Sequence, residues 1–378
     1  MDVSDFDFDL PDDLIAQDPP PLRGGSRLLV LRRDRGEVEH THFSRLGDYL
    51  RPGDVLVLND TKVFPARLLG HRTPSGGAVE CLLLRPLPET DPQHPDPTRS
   101  PIPDPRSPTR SPTRSPTAQP LWEALVHPGQ KLKPGATMLF EGNGVRLHGE
   151  IVSRHFHGRR TVRFRTDGSI GVMEAIERIG HVPLPPYIKR EDRPSDRERY
   201  QTVYARERGS VAAPTAGLHF TPALLDALAL RGVERTDVTL HVGYGTFKPI
   251  RAARIEDHIV DPETFVVSTE AADQVTRARR EGRRVIAVGT TTVRVLESLP
   301  IDTDGRVRPS SGEADLFIRP GHEFQLVNGL ITNFHLPRSS LLVLVAAFAG
   351  RERILEAYHH AVEQRYRFYS YGDAMLIL

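Results

Sequence analysis

Cysteine is nearly absent from this chain of 378 residues, in which Cys81 is the only one. A single thiol cannot build an intrachain disulfide framework or a thiolate metal cluster, which indicates a reducing compartment. Long apolar runs are also lacking, and the longest, at 341–349, is about half of the ~20 residues that a membrane helix needs. The N-terminal stretch MDVSDFDFDLPDDL is acidic and has no signal-peptide core. We therefore predict a soluble cytoplasmic protein without membrane association.

Neither sign of charge is in excess, because 50 basic and 49 acidic side chains leave a formal net charge of +1. A nucleic-acid partner must therefore be held by a local patch of Arg and Lys. The phosphate-binding motifs GxxxxGK and GxGxxG are missing, as is the zinc motif HEXXH. The histidines also lack carboxylates at ligand spacing, so we predict no metal.

The chain is long enough for two domains, and its pattern of apolar and polar residues changes along its length. Short alternating runs separated by Gly and Pro fill 63–165, which is typical of a small antiparallel β-barrel. Residues 1–62 and 166–378 alternate strands with helices, as an α/β domain with a mostly parallel sheet does. We predict a discontinuous α/β catalytic domain with the barrel inserted. Within the barrel, the Pro-rich and apolar-poor stretch 88–120 predicts a disordered loop.

Four polar clusters interrupt the apolar runs of the second half: PTAGLHF at 214–220, LHVGYGTF at 240–247, VGTTTVR at 288–294 and LITNFHLPRSS at 330–340. Each comes where a strand is expected to end. Ligands of α/β sheets bind beyond the carboxyl ends of strands, so we expect the clusters to form the walls of one pocket. The alternative is four ordinary turns, in which Gly, Thr and Asn are common.

Two of these clusters have specific ligand-binding features. A buried strand ends at Gly289, and the helix that follows suits a carboxylate or phosphate at its N-terminus, where Arg294 could add a clamp. Helix capping alone explains the same threonines, which are Thr290, Thr291 and Thr292. In the other cluster, glycines let a planar ligand approach the backbone, and an aromatic side chain could stack on a base or face a cation, although a tight turn with core aromatics is equally compatible. The residues concerned are Gly243, Tyr244, Gly245, Thr246 and Phe247.

Proton transfer near neutral pH requires titratable side chains, and the clusters supply three imidazoles that could also be structural. They are His219, His241 and His335. The segment NDTKVFPAR, just before the predicted barrel, adds Asp60, Lys62 and Arg67. A domain junction is a usual place for a cleft, and a charged linker is the alternative.

A set of ordered motifs running almost from end to end, outside the Pro-rich insertion, resembles a known family. The motifs are LPDDLIAQ with RGGSRLLVL, LVLNDTKVFPARL, APTAGLHFT, LHVGYGTFKPI, VGTTTVRVLE, LFIRPG, LITNFHLPRSSLLVLVAAFAG and RFYSYGDAMLI. Together they resemble the S-adenosylmethionine:tRNA ribosyltransferase-isomerases, the QueA family. The resemblance implies an α/β domain with an inserted β-barrel, as the change in residue pattern along the chain also predicts.

The resemblance further implies a tRNA-modifying transferase of queuosine biosynthesis. Such an enzyme consumes S-adenosyl-L-methionine as a co-substrate and moves its ribosyl moiety onto 7-aminomethyl-7-deazaguanine at the tRNA wobble position. The ribosyl group is isomerised, adenine and methionine leave, and epoxyqueuosine is formed. The implied partner is tRNA, through its anticodon loop, and we expect a monomer.

This chemistry assigns roles to the candidate residues. A base near the ribose 5′ carbon starts the reaction, which suits His219 or His335, and an acid such as Asp60 or another His helps adenine to leave. The methionine carboxylate needs a cationic or helix-terminal partner, which Arg294 and the turn at 290–292 offer. The splayed base must be stacked on an aromatic ring, which suits Tyr244 or Phe247. The expected substrate-binding residues are Lys62, Arg67, Thr215, Gly217, His241, Gly243, Tyr244, Gly245, Thr246, Phe247, Gly289, Thr290, Thr291, Thr292, Arg294 and Asn333.

One segment departs from the resemblance, because this chain reads HIVDPE where the family has HxMHxE. It keeps His258 and Glu263 but has Val260 and Asp261 at the Met and second His positions. Two other functions stay open. One is a tRNA-binding module without catalysis, and the other is an S-adenosylmethionine methyltransferase, which the lack of a glycine-rich loop after the first strand disfavours.

Overall fold

The structure is a computed structural model and describes residues 1–87, 119–168, 170–247 and 250–378, with the side chains of 157, 246 and 247 left out. The predicted disordered loop at 88–120 therefore lies outside the described residues, apart from 119–120. The chain divides into two compact units. One combines Met1–Lys62 with Leu184–Leu378, and the other is Val63–Pro183.

The described elements are numbered in chain order. The strands are β1 (Arg27–Arg32), β2 (Glu37–His42), β3 (Val55–Asn59), β4 (Thr61–Val63), β5 (Arg67–Thr73), β6 (Ala78–Pro86), β7 (Leu121–His127), β8 (Thr137–Gly142), β9 (Val145–Arg154), β10 (Arg159–Thr166), β11 (Glu207–Ser210), β12 (Glu234–Leu240), β13 (Glu263–Val267), β14 (Val285–Val288), β15 (Ser310–Ala314), β16 (Gly329–Asn333) and β17 (Ala374–Ile377). The helices are α1 (Val172–Ile179), α2 (Asp196–Arg199), α3 (Pro222–Leu230), α4 (Thr269–Arg280), α5 (Thr290–Glu297), α6 (Ser340–Ala349) and α7 (Arg351–Glu363). Short 3-10 turns cover Val3–Phe6, Asp12–Leu14, Phe43–Asp48, Gly129–Lys131, Phe156–Gly158, Thr215–His219, Tyr244–Phe247 and Ile255–Asp257.

The large unit is built on a mixed sheet with the strand order β15-β13-β12-β3-β14-β16-β17-β1-β2 among the described residues. Its centre, β12-β3-β14-β16, is parallel, whereas β13 and β15 on one side and β2 on the other pair antiparallel with their neighbours. Strand β17 runs antiparallel to β16 and parallel to β1. The predicted class, an α/β sheet domain with an inserted β-barrel, is confirmed.

The central strands are apolar along their whole length because both faces of the sheet are covered. In β3, Val55 and Val57 face one core cluster and Leu56 and Leu58 face the other. Helices α4, α5, α6 and α7 supply apolar residues to the first cluster, and α3 with the turn at Phe43–Asp48 supplies the second. Since the four central strands are parallel, their carboxyl ends lie at one edge of the sheet.

The smaller unit contains a closed barrel with the strand order β10-β7-β6-β5-β8-β9, every neighbouring pair being antiparallel. The sequence placed the end of this unit at 165, whereas the structure continues it to Pro183. Helix α1 accounts for the difference, because it packs on β8, β9 and β10 and buries Val172, Ala175 and Ile176.

A buried ion pair joins the beginnings of the two central strands β3 and β14. The Arg284 Nε atom donates to Asp54 Oδ1 at 2.9 Å, and the Arg51 backbone N–H donates to Asp54 Oδ2 at 2.7 Å. Asp54 is 3% exposed, so its charge depends on these donors. Removing one partner of a buried pair leaves the other charge without compensation.

We predict that Arg284→Met lowers the free energy of unfolding by roughly 2–4 kcal/mol, because Asp54 stays buried and loses its counterion. Arg45→Met is the matched control, since Arg45 pairs with Asp48 at an exposed position and its loss should cost about 1 kcal/mol or less. Urea unfolding followed by circular dichroism measures both variants. Equal losses of stability in the two variants would contradict the proposed role of this pair.

Candidate functional site

A cavity with about 780 Å³ of empty space lies in the large unit. All four polar clusters contribute to it, so the prediction that they meet at one pocket is confirmed. The lining residues are Tyr187, Ala213, Pro214, Thr215, Ala216, Val242, Gly289, Thr290, Thr291, Thr332, Asn333, His335, Leu336, Pro337, Ser339, Leu341, Tyr369 and Ser370. Of the predicted site residues, this wall includes Thr215, Gly289, Thr290, Thr291, Asn333 and His335.

The N-terminus of α5 forms one wall of the cavity. Gly289 follows the buried strand β14 with φ of +92°, which a residue with a side chain adopts only under strain. A glycine at this position also offers no side chain to cap the helix, so the first amide groups of α5 keep their capacity to bind a ligand. The hydroxyl groups of Thr290 and Thr291 lie beside them, whereas Thr292 donates its hydroxyl to the Val288 carbonyl at 2.7 Å. This end of the helix suits an anion.

Two aromatic side chains that the sequence analysis did not select form another wall. The rings of Tyr187 and Tyr369 lie 4.0 Å apart between centroids at 37°. The hydroxyl of Tyr187 hydrogen-bonds to that of Ser370 at 2.6 Å, and Tyr369 has φ of +73°. A non-glycine residue in this region of φ is uncommon and concentrates at functional sites. The aromatic-rich motif RFYSYGD is the sequence feature that could have indicated Tyr369.

His335 is the imidazole that lines the cavity among the described residues. Its Nε2 atom bonds to the Thr332 hydroxyl at 2.9 Å, and its backbone N–H donates to the Tyr358 hydroxyl at 3.0 Å. The part of the chain that the structure describes provides no partner for Nδ1. Burial lowers the pKa of His335 to about 3, so the ring is neutral at pH 7 and Nδ1 is available to a ligand.

His219 lies behind this wall rather than in it. Its Nδ1 atom bonds to the Ser26 hydroxyl at 2.8 Å, and its Nε2 atom is 3.2 Å from Asn333 Nδ2. Burial lowers the pKa of His219 to about 4. The ring borders a second, smaller cavity of about 270 Å³ that also includes Ser26 and Ser370. Asn333 thus separates His219 from the larger cavity.

Asp60 and His241 are both engaged in contacts outside the cavity lining. The Asp60 carboxylate accepts hydrogen bonds from Arg206 at 2.5 Å and from the Thr239 hydroxyl at 2.7 Å, and burial raises its pKa. The His241 Nδ1 atom bonds to the Thr61 hydroxyl at 2.8 Å, and burial lowers its pKa. These contacts join β3 and β4 to β12.

Arg294 makes structural contacts with the protein and does not bind a ligand. Its guanidinium group donates to Glu263 Oε2 at 2.6 Å and to the carbonyls of Ala314 and Leu316 at 2.7 and 3.2 Å. The same Glu263 carboxylate accepts the Gly243 backbone N–H at 2.8 Å. This buried chain of charge and hydrogen bonds joins α5 to β13 and to the loop that follows Val242, a cavity residue.

The remaining predicted residues lie outside the cavity lining. Lys62 is exposed, and Arg67 belongs to the barrel unit, where it makes a bidentate pair with Glu80 at 3.0 and 3.1 Å. A methyl group on Gly217 would lie 2.1 Å from the Tyr204 hydroxyl, and one on Gly245 would lie 2.3 Å from Asp261, so both glycines allow close packing. Gly243 makes the Glu263 contact, and Tyr244, Thr246 and Phe247 belong to the 3-10 turn Tyr244–Phe247.

Two properties of the described residues bear on what the chain could bind. No group of three or more His, Cys, Asp or Glu side chains among them is arranged to hold a metal ion. None of the helices in this part of the chain combines the length and the hydropathy that crossing a bilayer requires.

Comparison with known proteins assigns the family. The model described as "Queuosine biosynthesis protein" matches residues 3–377. The chain belongs to this family. It is 49% identical over 378 residues to the S-adenosylmethionine:tRNA ribosyltransferase-isomerase of Symbiobacterium thermophilum, and 47% identical over 377 residues to that of Acetivibrio thermocellus. Both alignments cover 100% of each chain. The crystal structure of an S-adenosylmethionine tRNA ribosyltransferase from Thermotoga maritima is 36% identical, with a TM-score of 0.51 over 99% of this chain and 100% of that one.

The buried imidazoles generate a prediction about pH. An unfolded chain takes up a proton on each histidine near the ordinary pKa of 6.5, whereas folded His335 and His219 stay neutral until about pH 3 and 4. The unfolded state therefore binds more protons as the pH falls below 6.5, and the folded state loses stability from these two groups. We expect the ring Cε1–H signals of both histidines to stay unshifted between pH 7.5 and 5 in NMR spectra.

The two signals are assigned by their loss in His335→Gln and His219→Gln. Histidines at the surface act as internal references. Either buried ring titrating with a midpoint near 6.5 would show that it is hydrated and exchanges with solvent, contrary to the geometry.

Proposed function

We propose that this protein is an S-adenosylmethionine:tRNA ribosyltransferase-isomerase. It transfers and isomerises the ribosyl moiety of S-adenosylmethionine onto 7-aminomethyl-7-deazaguanine at the tRNA wobble position, giving epoxyqueuosine, adenine and methionine. The observation that carries the proposal is the convergence of all four clusters on one cavity in a chain of this family.

The methionine end of S-adenosylmethionine carries a carboxylate, which binds at the N-terminus of α5. The amide groups and hydroxyls of Thr290 and Thr291 supply donors there, and the helix dipole favours a negative charge. Arg294 does not contribute to this binding, because its guanidinium hydrogen bonds go to Glu263, Ala314 and Leu316. Its role is to fix the position of α5 relative to the Gly243 loop, because both bond to Glu263.

The cationic sulfonium and the nucleobases require a different surface, which Tyr187 and Tyr369 provide. An aromatic face attracts a cation through its quadrupole and also stacks on a base. The two rings are in contact, tilted by 37°, and hold one another in place. These two tyrosines therefore take the role that the sequence analysis gave to Tyr244 or Phe247.

The reaction begins when a base removes a proton from the carbon beside the sulfonium, and we assign this role to His335. This role requires the tautomer in which Nε2 carries the ring proton and donates to the Thr332 hydroxyl, which leaves Nδ1 to accept the proton. The neutral ring is in the form that a base needs, although a pKa near 3 gives proton transfer little driving force. The acidifying effect of the sulfonium on its neighbouring carbon therefore supplies most of that driving force. Asp60 and His219 are not in the cavity wall and have no part in this step.

The second substrate is tRNA, whose anticodon nucleotide must be splayed out of its stack to reach the cavity. Because the formal net charge is only +1, local basic side chains have to bind the phosphates. A tRNA substrate is found in the cytoplasm, where we propose that the protein acts. The monomeric state stays a prediction.

We predict that protein incubated with S-adenosylmethionine and precursor tRNA releases adenine and methionine in equal amounts, as measured by liquid chromatography with mass spectrometry. Release of S-adenosylhomocysteine would indicate a methyltransferase, and tight tRNA binding without either product would indicate a binding module. Each of these outcomes would overturn the proposal.

In the same assay, His335→Asn should lower kcat by roughly 100-fold or more, because a positioned base contributes about 10²–10⁴-fold. Binding of S-adenosylmethionine, measured by calorimetry, should change little. His360→Asn is the matched control, since that imidazole lies on α7 outside the cavity lining. Full turnover by His335→Asn would remove His335 from the proposed role.

A further inference from the structure

Asn333 is placed at the wall of the cavity with little freedom. It ends β16, is 2% exposed and lines the cavity. Its Nδ2 atom donates to the Tyr369 carbonyl at 2.9 Å and lies 3.2 Å from His219 Nε2. Both amide hydrogens are thus committed to the protein.

These contacts determine which way the carboxamide of Asn333 points. The Tyr369 carbonyl can only accept a hydrogen bond, so the atom facing it must be nitrogen; the reverse orientation would set two oxygens against each other. His219 Nε2 must then be an acceptor, which makes Nδ1 the protonated nitrogen that donates to Ser26. The Phe43 ring, 5.0 Å from the imidazole between centroids, packs against it. Burial keeps the pKa of His219 near 4 and the ring neutral, as an acceptor has to be.

Two buried polar atoms of Asn333 and Tyr369 have no partner among the described residues. They are Asn333 Oδ1 and the hydroxyl oxygen of Tyr369. Folded proteins leave few buried polar atoms unpaired, and such atoms mark places where a water or a ligand completes the hydrogen bonds. Both belong to residues that line the cavity, and Asn333 also bonds to the backbone of Tyr369. The residues that carry this acceptor and this hydroxyl therefore belong to one wall.

We propose that Asn333 and Tyr369 recognise the amino edge of adenine and that His219 positions Asn333. The inference rests on the proposed function, in which S-adenosylmethionine enters this cavity. The exocyclic amine of adenine donates to Asn333 Oδ1, and the Tyr369 hydroxyl donates to a neighbouring ring nitrogen. Adenine has such a donor beside an acceptor, whereas 7-deazaguanine carries an oxygen at the six position, which would face Oδ1 as a second acceptor.

This assignment also explains how the departing base is stabilised. Adenine leaves with the electron pair of its bond to the ribose carbon, so negative charge builds up on its ring nitrogens. A hydroxyl that donates to one of those nitrogens is more strongly bound as that charge develops. Tyr369 therefore contributes to turnover as well as to binding, whereas Asn333 contributes chiefly to the choice of base.

The test compares S-adenosylmethionine with its hypoxanthine counterpart, in which an oxygen replaces the six-amino group. Calorimetric titration should show that the wild-type protein binds the adenine compound at least roughly tenfold more tightly, since the analogue leaves Oδ1 unpaired. Asn333→Ala should bind both compounds with similar affinity. His219→Leu should lose the preference too, whereas His219→Gln should retain much of it, because its amide oxygen can accept from Asn333.

Tyr369→Phe removes only the hydroxyl and serves as a second variant if Asn333→Ala fails to fold. It should weaken binding of S-adenosylmethionine several-fold and reduce kcat. If the wild-type protein releases adenine in the assay with precursor tRNA but binds both compounds equally, this inference is overturned and the proposed function is not. A preference that survives in Asn333→Ala would also overturn it. A wild-type protein that binds neither compound would overturn the proposed function as well.

Discussion

The parallel alignment of β12, β3, β14 and β16 is the constraint on which the rest of the structure depends. Strands that are buried on both faces can pair in this way only if every connection returns the chain to the same starting edge. Their carboxyl ends then lie together, and the residues that follow them form one surface. The threonine turn after β14 and Asn333 at the end of β16 are brought to one cavity for this reason, although Thr291 and Asn333 lie far apart in the sequence.

The cost of burying polar groups decides which residues of the clusters are available for chemistry. A buried charge needs a partner, and Arg294 and Glu263 are partners of each other, so neither is available to a ligand. Asp60 is held by Arg206 and Thr239 in the same way. What remains along the cavity consists of neutral groups: helix amides, hydroxyls, tyrosine rings, one carboxamide and the uncharged His335. A site of this kind suits a substrate that brings its own charges, a sulfonium and a carboxylate.

The sequence was sufficient for the class of fold and for the convergence of the clusters, because apolar runs and turn residues report strand ends directly. It was not sufficient for the end of the barrel unit, since an amphipathic helix such as α1 does not reveal what it packs against. It could not show whether Arg294 binds a ligand or makes a structural contact, because Arg294 lies in α5 and its partner Glu263 lies in β13. Tyr187 was missed because an extended segment has no periodicity, and Tyr369 because its importance depends on a left-handed backbone.

The central claim is that the loops at this edge of the sheet bind one sulfonium-bearing nucleoside. A crystal structure of the protein with S-adenosylmethionine, or with an unreactive analogue, tests it most directly. We expect the methionine carboxylate at hydrogen-bonding distance, about 3 Å, from the amides of Thr290 and Thr291, with the nucleoside against Tyr187 and Tyr369. Density for the ligand at another surface, with only solvent in this cavity, would contradict the claim.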